Sequence, residues 1–145
     1  GDCFIDLHRP DTIIESIKKH AIEIVSSGSK MLTFGGDHFV SYPLLKAHVK
    51  KYGPIALIQF DAHCDTWEDD GRTFDHGTMF SRAVNEGLID TSRSTQIGLR
   101  TYNEKDYGFE ILTSPQIHKE GVDHVLEVLK IRSADQRRRH TKLRG

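Results

Sequence analysis

One short strand constrains the fold of this chain more than any other feature of the sequence. Residues 55–60 read Ile-Ala-Leu-Ile-Gln-Phe, a near-continuous apolar run, and such a strand is typically buried on both faces, as in parallel sheets covered by helices. Further strands are predicted at residues 3–7, 30–34 and 95–99. Helical spacing of apolar residues is found at residues 12–27, 41–52, 79–86 and 122–131. Strands that alternate with helices predict a layered α/β fold with a mostly parallel sheet.

Size, charge and cysteine content exclude several other classes of protein. The 145 residues are about one domain's worth of sequence, and a formal net charge of −1 gives no electrostatic reason to bind nucleic acid or a membrane. No apolar run approaches the roughly 18–20 residues of a membrane span, and no signal-peptide pattern opens the chain. The two cysteines, Cys3 and Cys64, are far apart in the sequence. We therefore expect no disulfide framework and a cytoplasmic location.

Three residues that can bind metal follow directly on the apolar strand. If the extended conformation continued, the side chains of Asp61, His63 and Asp65 would point to one side. Open α/β sheets place their ligands at this carboxyl end of the strands. Carboxylate and imidazole donors suit manganese, zinc or iron better than calcium. A polar turn facing solvent explains the same spacing, so this motif alone leaves both interpretations open.

A second motif, Gly-Gly-Asp-His at residues 35–38, also follows a predicted strand and begins a loop that leads into a helix. The glycines permit a tight backbone path, which would let His38 lean towards the neighbouring strand end. We therefore expect His38, Asp61, His63 and Asp65 to converge at one end of two neighbouring strands.

A third motif places His76 between glycine and aspartate in a loop, within the sequence Phe-Asp-His-Gly-Thr-Met-Phe. A loop histidine near a metal site can act as an acid or base close to neutral pH, although by itself it is more simply a solvated side chain. The two aspartates that precede histidines, Asp37 and Asp75, could orient those adjacent histidines or cap the loops.

In this order and spacing, the three motifs resemble those of the ureohydrolase (arginase/agmatinase) family over residues 1–131. The resemblance implies a three-layer α/β/α sandwich around a parallel sheet, with two manganese ions. It implies that His38 and Asp65 bind the first ion, that His63 binds the second and that Asp61 bridges them. His76 would then pass a proton to the departing amine.

The resemblance also implies a reaction and its partners. Members hydrolyse small guanidino compounds and release urea, using water activated by the two metals. Agmatine, which gives putrescine, is the expected substrate; guanidinobutyrate, guanidinopropionate and arginine are alternatives. Residues 67–73 are candidates for substrate selection, with no individual contact assigned. A homo-oligomer is expected when the protein is full length.

The sequence departs from the family in its last part. The second metal motif of the family, Asp-x-Asp-x-x-Asp-Pro, is absent, and residues 132–145 read as a basic tail that is disordered or lies outside the family's domain. Two carboxylates cannot balance two divalent ions, so we expect weak metal binding, or one ion, and no urea release by the chain alone. A frameshift near residue 131 is one hypothesis, tested by translating the neighbouring frame. An inactive remnant that serves as a binding or oligomerisation module is the alternative from another class.

Overall fold

A computed structural model describes the backbone of residues 1–101 and 103–142, and the side chains of residues 1–101 and 103–132. Three strands form one parallel sheet in the order β1-β2-β3, with β1 at Ile58–Phe60, β2 at Thr95–Leu99 and β3 at Glu110–Thr113. The parallel sheet that the apolar run predicts is therefore confirmed, but burial of this strand on both faces is wrong, because Ile58 and Phe60 of β1 are 53% and 74% exposed.

Four helices connect and cover these strands. They are α1 at Ile13–Ser26, α2 at Ser41–Tyr52, α3 at Met79–Asn85 and α4 at Ser114–Lys142. Gly53 ends α2 with a positive φ of 73°, a conformation that glycine adopts without steric cost. Gly121 interrupts α4 with φ 83° and ψ 171°, so the helix predicted at residues 122–131 is the part that follows this break.

The sheet lies between two helical layers. On one face, α2 and α3 contribute to a core of eight buried residues: Tyr42, Leu45, Met79, Phe80, Ala83, Leu88, Ile89 and Phe109. On the other face, Val125 of α4 packs with Ile97 and Leu112. Burial of each large apolar side chain contributes about 1.5–3 kcal/mol of transfer free energy. The layered α/β architecture is thus confirmed by the packing on both faces, and α1 packs against α2 at the side.

Two of the predicted strands are wrong. Residues 3–7 and 30–34 form no ladder among the described residues, and the apolar side chains Phe4, Leu7, Leu32 and Phe34 are 86%, 80%, 81% and 89% exposed. A β-strand is defined by hydrogen bonds to a neighbour, and apolar composition alone does not supply one. The strand predicted at residues 55–60 is shorter for a related reason: Ile55 forms only an isolated parallel bridge with Ile89.

The end of the chain is helical further than expected. The backbone of α4 continues past Ile131 to Lys142, because neither glycine nor proline occurs there to end it. Side chains beyond Arg132 lie outside the described residues, so a tail at 132–145 that stands apart from the domain stays a prediction. No helix of the described part is long and apolar enough to cross a membrane.

Candidate metal centre

The motif that follows β1 forms a turn instead of continuing the strand. Asp61 Oδ1 accepts a hydrogen bond from the backbone N–H of His63 at 2.9 Å. This is an Asx turn, in which an aspartate side chain accepts a hydrogen bond from the backbone two residues later and so bends the chain. Asp65 then has a left-handed φ of 52°. The expectation that extended backbone would point all three side chains to one side is therefore wrong, because this side-chain hydrogen bond competes with the strand conformation.

Three of the expected ligands nevertheless converge. The ring nitrogen Nδ1 of His38 lies 2.8 Å from Asp65 Oδ2 and 3.3 Å from Asp61 Oδ2. One donor atom from each of the three residues can be chosen so that all lie within 4.8 Å of one another. The Asp65 side chain is only 7% exposed, whereas that of His38 is 40% exposed. The edge of the His38 ring meets Phe80, with ring centroids 5.6 Å apart.

His63 lies at the border of this cluster and outside the group of three. Its Nδ1 is 3.4 Å from the other oxygen of Asp61, Oδ1, and its side chain is 64% exposed. Asp61 therefore presents one carboxylate oxygen to His38 and the other to His63. A carboxylate placed between two imidazoles has the arrangement needed to bridge two cations.

His38 reaches the cluster from a short turn and not from a strand beside β1. Asp37 caps the 3-10 turn His38–Val40 by accepting a hydrogen bond from Phe39 N–H at 2.8 Å. The expectation of two neighbouring strands is wrong, since residues 30–34 pair with no strand of the described part. The cap fixes the direction in which the chain leaves Gly36, and with it the position of His38.

Asp37 also contacts a histidine, but not the adjacent one. Its Oδ2 lies 2.9 Å from Nδ1 of His76, which comes from a different loop. Asp75, by contrast, caps its own loop by accepting hydrogen bonds from the backbone N–H groups of Gly77 and Thr78 at 2.7 Å and 3.1 Å. Asp75 therefore has the loop cap, and Asp37 caps its own turn but orients His76 of another loop instead of the adjacent His38.

The charges around the cluster shift several pKa values. The hydrogen bond to Asp65 raises the pKa of His38, and the charges of Asp65 and Asp61 add to this although burial opposes it. Burial raises the pKa of Asp61, but the His63 N–H and the charge of His38 outweigh it, so that the net shift is downward. The Asp61 carboxylate therefore stays ionised at neutral pH and attracts positive charge.

The donor set fits a divalent transition metal. One imidazole nitrogen and two carboxylate oxygens are suitable ligands for manganese, zinc or iron, and the absence of thiolate from this group argues against a structural zinc site. The hydrogen-bonded His38 ring lies against both carboxylates, at the place where their negative charge is concentrated.

A buried ion pair that the sequence analysis missed holds the loop leading to His76. Arg82 of α3 donates from Nε to Asp69 Oδ2 at 2.8 Å, and the two side chains are 7% and 11% exposed. The Arg82 guanidinium also lies 4.3 Å from the ring centroid of Phe74. The available signal was an arginine within the otherwise apolar sequence Met-Phe-Ser-Arg-Ala-Val of α3.

The fold and the histidine–carboxylate cluster define an α/β protein with a candidate metal centre at the carboxyl end of a strand. A sequence profile of the Arginase family matches residues 1–141, so the chain belongs to this family.

Particular members of the family are close in sequence. An agmatinase of Chromobacterium violaceum is 55% identical over 132 residues, which are 90% of this chain and 41% of that protein. The crystal structure of a hypothetical agmatinase from Burkholderia thailandensis superposes with a TM-score of 0.87 at 49% identity, over 91% of this chain and 42% of that one. The proclavaminate amidino hydrolase of Streptomyces clavuligerus has a TM-score of 0.81 at 27% identity, over 91% and 47%. The chain thus spans less than half the length of these relatives and has part of the arginase-like α/β fold.

Proposed function

We propose that this chain is part of a manganese-dependent ureohydrolase that hydrolyses agmatine to putrescine and urea. The observation that carries the proposal is the convergence of His38, Asp61 and Asp65, whose donor atoms lie within 4.8 Å of one another at the end of β1. The 55% identity to an agmatinase favours agmatine as the guanidino substrate.

Each residue of the centre has a proposed role. His38 and Asp65 would hold a first manganese ion, His63 would hold a second, and Asp61 would be a ligand of both. When bound, the ions supply a water activated for hydrolysis near neutral pH. The distances of 3.3 Å and 3.4 Å from Asp61 to the two histidines support its bridging position, and the mixture of oxygen and nitrogen donors suits manganese.

His76 is the proposed proton donor to the departing amine. Its hydrogen bond to Asp37 raises the pKa of His76, so a larger fraction of the ring carries the proton near neutral pH. Asp37 occupies Nδ1, and transfer to a substrate therefore falls to Nε2. The ring is 66% exposed in this chain, which leaves it accessible to a substrate from solution.

The loop before His76 is proposed to select the substrate. It is closed at its base by a hydrogen bond from Trp67 N–H to Gly77 O at 2.9 Å, and the Trp67 side chain is 46% exposed. Residues 67–73 thus form the first part of a loop that this hydrogen bond closes and that contains His76 near its end. An indole at the base of such a loop can contact the alkyl chain that separates the two charged ends of agmatine.

Three further features follow from the family resemblance and stand as part of the proposal. The reaction would belong to polyamine biosynthesis, because putrescine is its product. The full-length protein would be a homo-oligomer. A cytoplasmic location agrees with two cysteines that are both free thiols in the structure.

The test compares this chain alone with a chimera in which it is continued by the C-terminal part of the Chromobacterium violaceum agmatinase. With Mn²⁺, we expect the chimera to release urea from agmatine faster than from guanidinobutyrate, guanidinopropionate or arginine, and the chain alone to release none above background.

In the chimera, His76→Ala is expected to lower turnover more than Mn²⁺ affinity. A chimera that folds and binds manganese but leaves agmatine intact would contradict the proposed substrate; urea from the short chain would contradict the ligand set.

A further inference from the structure

Two glutamines are buried side by side directly beneath the candidate metal centre. Gln59 of β1 and Gln96 of β2 are paired in the parallel register of the sheet, and they are 4% and 1% exposed. Burying an amide is unfavourable unless its hydrogen bonds are replaced. Their positions in two otherwise mainly apolar strands therefore require specific partners.

Those partners are in the metal-binding turn. Gln96 donates from Nε2 to the backbone carbonyl of Cys64 and to the side-chain carbonyl of Gln59, both at 2.7 Å. Gln59 in turn donates from Nε2 to the backbone carbonyl of His63 at 3.1 Å. Two connected amides thus bind two consecutive carbonyls of the segment that lies between Asp61 and Asp65.

These hydrogen bonds fix the peptide group before a residue in an unfavourable conformation. Asp65 has a φ of 52°. Aspartate adopts this left-handed conformation more readily than most residues with a Cβ, but still at an energetic cost that its surroundings must offset. The carbonyl that precedes Asp65 is held by Gln96. Its own carbonyl accepts a hydrogen bond from Phe80 N–H at 3.0 Å, so both peptide groups that flank Asp65 are fixed.

The position of the Asp65 carboxylate depends on this conformation. Its Oδ2 lies 2.8 Å from His38 Nδ1, and the side chain is 7% exposed. If φ of Asp65 changed to the common negative range, the Cα–Cβ bond would point elsewhere and the carboxylate would leave the cluster. The position of the Asp65 carboxylate therefore depends on the conformation of the turn at Asp65.

We propose that Gln96, supported by Gln59, is a positioning residue for the metal centre: this buried amide pair holds the left-handed turn at Asp65 and so places its carboxylate beside His38 and Asp61. The inference rests on the proposed metal centre. Gln96 acts on the backbone of the turn, whereas Gln59 also hydrogen-bonds to the Asp61 side chain. Residues that orient ligands in this way typically change metal affinity by about 10–100-fold when they are replaced.

The first test measures Mn²⁺ affinity of the chain by electron paramagnetic resonance of the free ion. Gln96→Met keeps the length of the side chain and removes its donors, and we expect an affinity loss of about 10–100-fold. Thr95→Val is the matched control, because Thr95 precedes Gln96 on β2, is fully buried, and has an Oγ1 without a hydrogen-bond partner within the described residues. This control should bind Mn²⁺ as the unmodified chain does.

A second measurement separates positioning from general destabilisation. In the metal-free chain, the backbone chemical shifts and the HN–Hα coupling of Asp65 report its φ. We expect them to move towards values for negative φ in Gln96→Met, and to stay unchanged in Thr95→Val, while circular dichroism shows that both variants are folded. Gln59→Met leaves the bond from Gln96 to Cys64 in place and should give a smaller shift of the Asp65 signals.

The outcomes distinguish this inference from the proposed function. If the unmodified chain binds no Mn²⁺, the metal centre is wrong, and the Asp65 signals alone then decide whether the glutamines hold the turn. If the unmodified chain binds Mn²⁺ and Gln96→Met changes neither its affinity nor the Asp65 signals, the positioning role is overturned. If Gln96→Met does not fold, Gln96→Asn takes its place: it keeps a buried amide but is one methylene shorter and loses its reach to the Cys64 carbonyl, and unchanged Asp65 signals in this variant would overturn the positioning role.

Discussion

At the scale of single residues, the two carboxyl oxygens of Asp61 distinguish it from every other acid in the site. One oxygen is 3.3 Å from His38 and the other is 3.4 Å from His63. Asp37 is close in sequence to the same cluster, but its carboxylate contacts His76 and the backbone of Phe39. The two aspartates should therefore differ in their effect on metal binding, although both stand beside a histidine of the site.

Replacing these two aspartates tests that difference. We expect Asp61→Ala to abolish Mn²⁺ binding by this chain, since it removes the carboxylate that faces both histidines. Asp37→Asn should weaken binding by about 10-fold or less, because it reaches the ligands only through the turn that it caps. The measurement is a Mn²⁺ titration of both variants, and equal losses would show that the assigned roles are wrong.

The contact between Asp37 and His76 makes a separate prediction about pH. The hydrogen bond raises the pKa of His76, because the negative carboxylate stabilises the protonated ring. Asp37→Asn should therefore lower the pKa of His76 in a nuclear magnetic resonance titration of the metal-free chain. Asp75→Asn is the control: Asp75 contributes only a minor charge effect, and the shift should be smaller. A pKa unchanged by Asp37→Asn would mean that the two side chains do not meet in solution.

At the scale of elements, the Arg82–Asp69 pair joins α3 to the loop that carries His76. Both side chains are largely buried, and Arg82 also donates to the carbonyl of Thr73 at 2.9 Å. Removing one partner leaves the other charge buried without compensation, which typically costs about 3–5 kcal/mol. The loop therefore owes its fixed shape to an ion pair as well as to its backbone hydrogen bonds.

This pair predicts how stability changes in acid. The hydrogen bond from Arg82 lowers the pKa of Asp69 below its ordinary value. A lowered pKa in the folded state gives stability that is present above the unfolded pKa of about 3.9 and is lost as pH falls through the folded pKa. Asp69→Asn should lower the free energy of unfolding at pH 7 and flatten its fall between about pH 5 and pH 2. Glu68→Gln, at the exposed neighbouring position, should keep the fall of the free energy of unfolding with decreasing pH that the unmodified chain shows. If Asp69→Asn kept the same fall, the role of the ion pair would be wrong.

Some elements could be predicted from the sequence and others could not, for physical reasons. The pattern of apolar residues locates α2 and β2, and Gly53 marks the end of α2. These signals can be found in the sequence because they arise from residues that are neighbours along the chain. The three converging ligands could be expected from Gly-Gly-Asp-His and Asp-x-His-x-Asp, but not the turn at Asp61, which depends on one side-chain hydrogen bond. Strand β3 was missed because Glu-Ile-Leu-Thr is short and lacks alternation. Arg82–Asp69 and Gln59–Gln96 join residues 13 and 37 positions apart, which no local pattern reveals.

At the scale of the whole molecule, the chain exposes apolar side chains on both sides of the candidate centre. Leu32 and Phe34 precede the His38 turn, and Ile58 and Phe60 of β1 are 53% and 74% exposed. The chain spans 41% of the length of the Chromobacterium violaceum agmatinase. In a polypeptide of the relatives' length, further residues would be available to cover these side chains.

Exposure of this kind can be measured with a hydrophobic dye. We expect the short chain to bind 8-anilinonaphthalene-1-sulfonate with higher fluorescence than the chimera described above, because exposed apolar surface binds the dye. Phe34→Ser combined with Phe60→Ser should lower the fluorescence of the short chain, whereas Thr33→Ser, at an exposed polar position of the same segment, is the control and should leave it nearly unchanged. Equal fluorescence from the short chain and the chimera would show that added residues do not cover this surface.

The central claim is that His38, Asp61 and Asp65 hold manganese, with His63 at the border of the same centre. Anomalous diffraction at the manganese absorption edge, from crystals of the chain grown with Mn²⁺, tests it most directly. We expect a peak at roughly 2.0–2.2 Å from the His38 ring nitrogen and from carboxylate oxygens of Asp61 and Asp65. A peak at other residues, or a His38 ring turned away from Asp61 with no peak beside it, would show that these residues do not form the metal centre.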